Sequence, residues 1–149
     1  MLASQGTALM QLDSLAAFRR WCDCILALNR GAANAGCPLG SLASELANKS
    51  EQARALLVAG FNSWEDRLAD GFAKMQEKGE LGKSAVPREL AIGVLSAVQG
   101  GLLLAKTSRS EGPLKVALDM ALDHVVSHRR SPSGSSPSGV PISAKKRRR

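Results

Sequence analysis

The stretch from Ser50 to Lys78, SEQARALLVAGFNSWEDRLADGFAKMQEK, decides the fold class. Leu57, Phe61, Trp64, Leu68, Phe72 and Met75 follow one another in steps of 4, 3, 4, 4 and 3, with Glu65, Asp66, Arg67, Asp70, Lys74, Glu77 and Lys78 mostly off that line. Such spacing puts the apolar side chains along one stripe of an α-helix and the charges on the other side. Ser50 is placed to cap its start, and Glu51 suits the positive end of the helix dipole.

Working outward, the same period appears on both sides. A first helix is predicted from about Ala8 to Asn29, with Leu12, Leu15, Phe18, Cys22, Ile25 and Leu28 on one stripe and Gly31 as its stop. A Gly- and Ala-rich loop from Gly31 to Gly40 follows, then a short helix carrying Leu42 and Leu46 with Ser41 as its expected cap. Beyond a loop bounded by Gly79, Gly82 and Pro87, a fourth helix opens at Pro87, whose missing N–H has no partner to lose in a first turn. Gly112 and Pro113 open a fifth, striped by Leu114, Leu118, Ala121, Leu122 and Val125 and ending near His128. No stretch alternates with a period of two, so the chain reads as all-α, a bundle of about five helices.

The fourth helix sets a covering problem. Leu90, Val94, Val98 and Ala105 lie on one side, while Ile92, Leu95, Leu102 and Leu103 lie on others, and one small domain cannot cover every face. Pairing the last two helices with their copies across a two-fold axis covers it. The interface residues expected on this reading are Ile92, Leu95, Gln99 and Leu103 of the fourth helix and Leu114, Leu118, Leu122 and Val125 of the fifth. Gly100 and Gly101 then allow close backbone approach; the alternative is a monomer in which they mark a kink.

Length and charge narrow the function. The 149 residues suit one domain with a real core. The net charge of +7 is not spread over that domain: residues 1–128 hold 13 bases and 13 acids, and residues 129–149 hold seven bases and no acid. The division expected is a short segment 1–11, a helical domain 12–128 and a disordered basic tail 129–149, rich in Ser, Pro and Gly. Lys145, Lys146, Arg147, Arg148 and Arg149 alone support at most weak, salt-sensitive attachment to nucleic acid. Five aromatic residues, Phe18, Trp21, Phe61, Trp64 and Phe72, leave few rings for stacking bases. Three cysteines and no signal-like start read as a reduced, cytoplasmic protein. The charge-free run from Leu90 to Ala105, with Ser96, Gln99 and three glycines, is short and polar for a membrane span and reads as a buried helix.

Recognisable chemistry is sparse. Gly79-Glu80-Leu81-Gly82-Lys83-Ser84 has the look of a phosphate-cradling loop, but Glu77 stands where the first Gly belongs and a helix precedes it. His124 and His128 share a face four residues apart, yet their place at the negative end of a helix accounts for them without metal. Cys22 and Cys24 point about 200° apart on a helix, and Cys37 reads as a small apolar contact. No nucleophile, base and acid arrangement stands out, so no enzyme, metal or cofactor is expected.

Three passages carry a resemblance. Gly36-Cys37-Pro38-Leu39-Gly40-Ser41-Leu42-Ala43-Ser44-Glu45-Leu46, Gly60-Phe61 with Trp64-Glu65, and Ala97-Val98-Gln99-Gly100-Gly101-Leu102-Leu103-Leu104-Ala105 run on to Pro113-Leu114 and Ala117-Leu118-Asp119. In this order and spacing, over roughly Leu12 to Val126, the chain resembles the C-terminal regulatory domain of the TetR/AcrR family of bacterial transcriptional repressors. The resemblance implies an all-helical domain that dimerises through its last two long helices and holds a small hydrophobic effector among the others. Trp21, Phe61, Trp64, Phe72, Met75 and Gln99 are the residues expected nearest that cavity, rings and one polar anchor suiting such a site, with ordinary core packing as the plain alternative. The family's helix-turn-helix half precedes this domain, and Met1 to Leu12 is too short for even one of its helices. The function expected is therefore a sensing and dimerisation domain without its own DNA-reading half. The alternative is a helical interaction module that pairs with full-length relatives and binds no small molecule.

Overall fold

The computed structural model describes residues 11–31 and 36–130. Five helices follow in order: α1 Leu15–Gly31, α2 Pro38–Leu46, α3 Glu51–Glu77, α4 Pro87–Ser108 and α5 Gly112–Ser127. The fold is an all-α bundle. Helix α4 packs against α3 on one side and α5 on the other, α1 lies on α5, and α2 rests on α3.

Local chemistry accounts for the ends. Ser50 Oγ accepts the Ala53 N–H at 3.2 Å, the cap expected for α3. Pro87 and Pro113 sit in the first turns of α4 and α5 as expected. Two starts differ from the sequence reading. Within the described residues α1 begins at Leu15 instead of running on from Ala8, because Ser14 Oγ accepts the Ala17 N–H and Leu12 leaves the helical path to bury itself beneath α3. Helix α2 begins at Pro38 instead of after Ser41: the proline fixes the first turn, and the N-cap is Cys37, whose Sγ accepts the Gly40 N–H at 3.4 Å. Residues 32–35 of the expected loop, the segment before Gln11 and the tail beyond Arg130 lie outside the described residues.

The core is built where α1, α3, α4 and α5 meet. Phe18 stacks on Trp21 with ring centroids 5.8 Å apart and meets Phe72 edge-on at 5.3 Å, and Ile25, Leu68, Met75, Val98, Leu102, Leu114 and Val125 close around them. Two glycines set the spacing of elements. A side chain at Gly71 would lie 2.7 Å from the Leu12 carbonyl oxygen, and one at Gly101 would lie 2.9 Å from Ala117 Cβ and 3.0 Å from Leu114 Cα. At both positions only glycine lets the backbones come this close.

The loop between α3 and α4 ties the start of α1 to the end of α5. Gly82 N–H donates to the His128 carbonyl at 2.8 Å and Arg130 N–H to the Glu80 carbonyl at 3.1 Å, while Glu80 Oε2 accepts the Leu15 N–H at the start of α1. Gln76 Nε2 donates to the carbonyls of both Gly82 and Ala85 at 2.9 Å. The glycine loop with a phosphate-loop look thus spends several of its backbone groups on internal bonds.

Candidate functional site, a cavity between α2, α3 and α4

A cavity of about 240 Å³ opens where α2 crosses α3 and α4. Gly36, Cys37, Gly40, Ser41 and Ser44 form one wall, Phe61 of α3 another, and Gln99, Gly100, Leu103 and Lys106 of α4 the third. Its polar fittings are specific. Lys106 Nζ donates to Ser41 Oγ at 3.2 Å, and Ser44 Oγ donates to the Gly40 carbonyl at 3.1 Å. Gln99 Nε2 is buried with no hydrogen-bond partner among the described residues, and a Cβ at Gly40 would come within 2.8 Å of Gln99 Oε1. Gly40 therefore lets α2 settle directly onto the glutamine.

Of the six residues expected nearest a cavity, Phe61 and Gln99 line this one. Trp21, Trp64, Phe72 and Met75 belong to the aromatic core, each nearly or completely buried. The period that marks a buried stripe is the same whether the stripe fills a core or walls a cavity, which explains the division. Sequence reading missed Ser41, Ser44 and Lys106. The signal for Lys106 is a charge four residues after Leu102, in the last turns of an otherwise apolar helix.

The residues expected at an interface between copies also divide. Leu95, Leu114, Leu118, Leu122 and Val125 are buried inside one protomer. Ile92 and Leu103 are exposed, and Gln99 is partly covered at the cavity. The exposed apolar side chains on these two helices are Ile92, Leu103 and Leu104 of α4 and Val116 and Met120 of α5. Ile92, Ser96, Gly100 and Leu103 step by 4, 4 and 3 along one outer stripe. Side chains added at Gly93 or Gly100 would meet nothing within 4 Å. Helix α5 spends its strongest stripe on α4 and α1, because without it the protomer has no closed core.

Other groups have structural partners. His124 and His128 meet edge to face with ring centroids 4.9 Å apart, and His128 Nδ1 lies 3.0 Å from the His124 carbonyl oxygen. Among the described residues no three His, Cys, Asp or Glu side chains gather where they could hold a metal ion. Burial beside α5, with a smaller push from Asp23, raises the Cys22 thiol to about 12. A smaller recess of about 150 Å³ between α1 and α5 is bordered by Arg19, Asp23, Lys115 and Asp119, with Lys115 and Asp119 paired to each other at 2.7 Å. Bidentate pairing of Arg30 with Glu111 joins the end of α1 to the start of α5.

Comparison with known proteins places this bundle in a family. The model of the C-terminal domain of LmrA/YxaF-like transcriptional regulators matches residues 14–120, and the chain belongs to that family. Among solved structures it is similar to the regulatory protein TetR from Rhodobacter sphaeroides, with 26% identity and a TM-score of 0.68. The match covers 74% of this chain and 59% of that one, so this chain spans well under two thirds of the length of that regulator. No curated protein matches the chain.

Proposed function

We propose that the chain is the effector-sensing and dimerising part of a TetR-like transcriptional regulator. A small, largely apolar molecule seats in the cavity between α2, α3 and α4, and two copies pair through the outer faces of α4 and α5. Control of transcription then requires a DNA-reading half, joined to this domain or supplied by a paired relative. The observation that carries this reading is the double use of one short run of α4. Gln99, Gly100 and Leu103 line the cavity, and Gly100 and Leu103 also lie on the exposed stripe with Ile92. On this reading a ligand in the cavity lies beside the surface through which copies pair, which supports coupling of the two.

The test joins sedimentation with thermal unfolding. Wild-type protein is expected to sediment as a dimer, and Leu104→Glu, which alters an exposed outer side chain and no core contact, as a monomer that still unfolds cooperatively. Apolar aromatic compounds are expected to raise the unfolding midpoint in proportion to the logarithm of their concentration once it exceeds Kd. A wild-type chain that stays monomeric removes the pairing. A dimer that no compound stabilises removes the sensing and leaves a pairing module.

A further inference from the structure

We infer that the ligand of this cavity carries one carboxylate: it is an amphipathic monoanion with an apolar body the size of about two rings. The inference rests on the cavity being an effector site.

Charge comes first. Lys106 is the single ionisable cation on the cavity wall, and no carboxylate lies among the lining residues. Among the described residues Lys106 makes no ion pair, its Nζ bonding instead to the neutral Ser41 hydroxyl. The lysine is not loose. A Cβ on Gly36 would lie 3.1 Å from Lys106 Cδ, and Gly36 holds φ +76°, so glycine lets the lysine stem lie down against the loop while Ser41 holds its tip. Holding the ammonium in one place beforehand lowers the ordering cost of meeting an anion.

A second donor points the same way. Gln99 Nε2 is buried without a partner among the described residues, and an unmet buried donor is costly until an acceptor reaches it. A carboxylate has two oxygens with room for several donors, so one such group has the acceptor capacity for both the ammonium and the amide. One cation suits a monoanion better than a phosphate, which carries nearly two charges at neutral pH. Phe61 and Leu103 offer only apolar surface for the remainder. A volume of about 240 Å³ is enough for a bicyclic ring system, since a cavity of about 150 Å³ takes one benzene.

Calorimetric titration of the full chain with 2-naphthoate and with its neutral counterpart 2-naphthamide tests the inference. The acid is expected to bind at least about tenfold more tightly, the scale of one charge-assisted hydrogen bond. Lys106→Met keeps the stem and is exposed enough to leave the core untouched; it is expected to bring the two affinities within about twofold, while Lys106→Arg keeps the preference for the acid. Equal affinity of wild type for both compounds, or an undiminished preference in Lys106→Met, overturns the carboxylate while leaving a sensing cavity. Binding of neither compound overturns both the carboxylate and the cavity as an effector site.

Discussion

Gly100 and Gly101 are neighbours in sequence and opposites in the fold. Gly101 faces inward, where any side chain would press on the backbone of Leu114 and on Ala117, and Gly100 faces outward, where a side chain would meet nothing in the protomer. The whole of α4 divides in the same way. Leu90, Ala91, Val94, Leu95, Val98, Leu102 and Ala105 are buried against α3 and α5, while Ile92, Leu103 and Leu104, equally apolar, are open. The inner face makes the protomer fold. The outer face, with the cavity at its edge, is left for something other than the fold.

The largest effect that separates the two faces is truncation. Leu102→Ala, at a site 1% exposed, is expected to cost about 2–5 kcal/mol of unfolding free energy, because it removes packed methyl groups and leaves a void. Leu104→Ala, at a site 57% exposed, is expected to change it by no more than about 0.5 kcal/mol for the isolated protomer. Denaturant titration of both at a concentration low enough to keep copies apart checks this. Equal costs would mean that the inner and outer faces are not distinct.

The two glycines give a smaller and sharper contrast. Gly101→Ala is expected to destabilise by about 1–3 kcal/mol, since α5 must move away from α4 to admit one methyl group. Gly100→Ala is expected to gain up to about 1 kcal/mol of helix propensity in the protomer. If copies pair through this face, the same change lowers the dimer fraction in sedimentation.

Helix α1 repeats the contrast with its cysteines. Cys22 is buried and its thiol is raised to about 12, while Cys24 is half-exposed. Alkylation at neutral pH is expected to reach Cys24 well before Cys22, read by mass spectrometry of the partly modified chain. The raised thiol also has a stability consequence. Its proton is held more tightly in the folded than in the unfolded chain, so its contribution is fully present below about pH 9 and is lost as pH rises toward 12. Unfolding free energy is expected to fall over that window more steeply in wild type than in Cys22→Ala, and identical slopes would mean that Cys22 is not held neutral by burial.

What the sequence determined by itself was periodic or local. The stripe from Leu57 to Met75 needs only the 3.6-residue turn of a helix to be read, and Ser50, Pro87 and Pro113 act on backbone groups within a turn of themselves. The class of fold and the long helices followed from such features, whereas the family followed from a resemblance carried by three passages taken in order. Period says that a face is covered and is silent on what covers it. Only the tertiary structure decided that the Leu114 to Val125 stripe is spent inside the protomer, that Trp21, Trp64, Phe72 and Met75 fill a core, and that the cavity belongs to Phe61, Gln99 and Lys106. These assignments depend on contacts between residues far apart in the chain. Lys106 reaches Ser41 across 65 positions, and no spacing rule within one helix encodes that meeting.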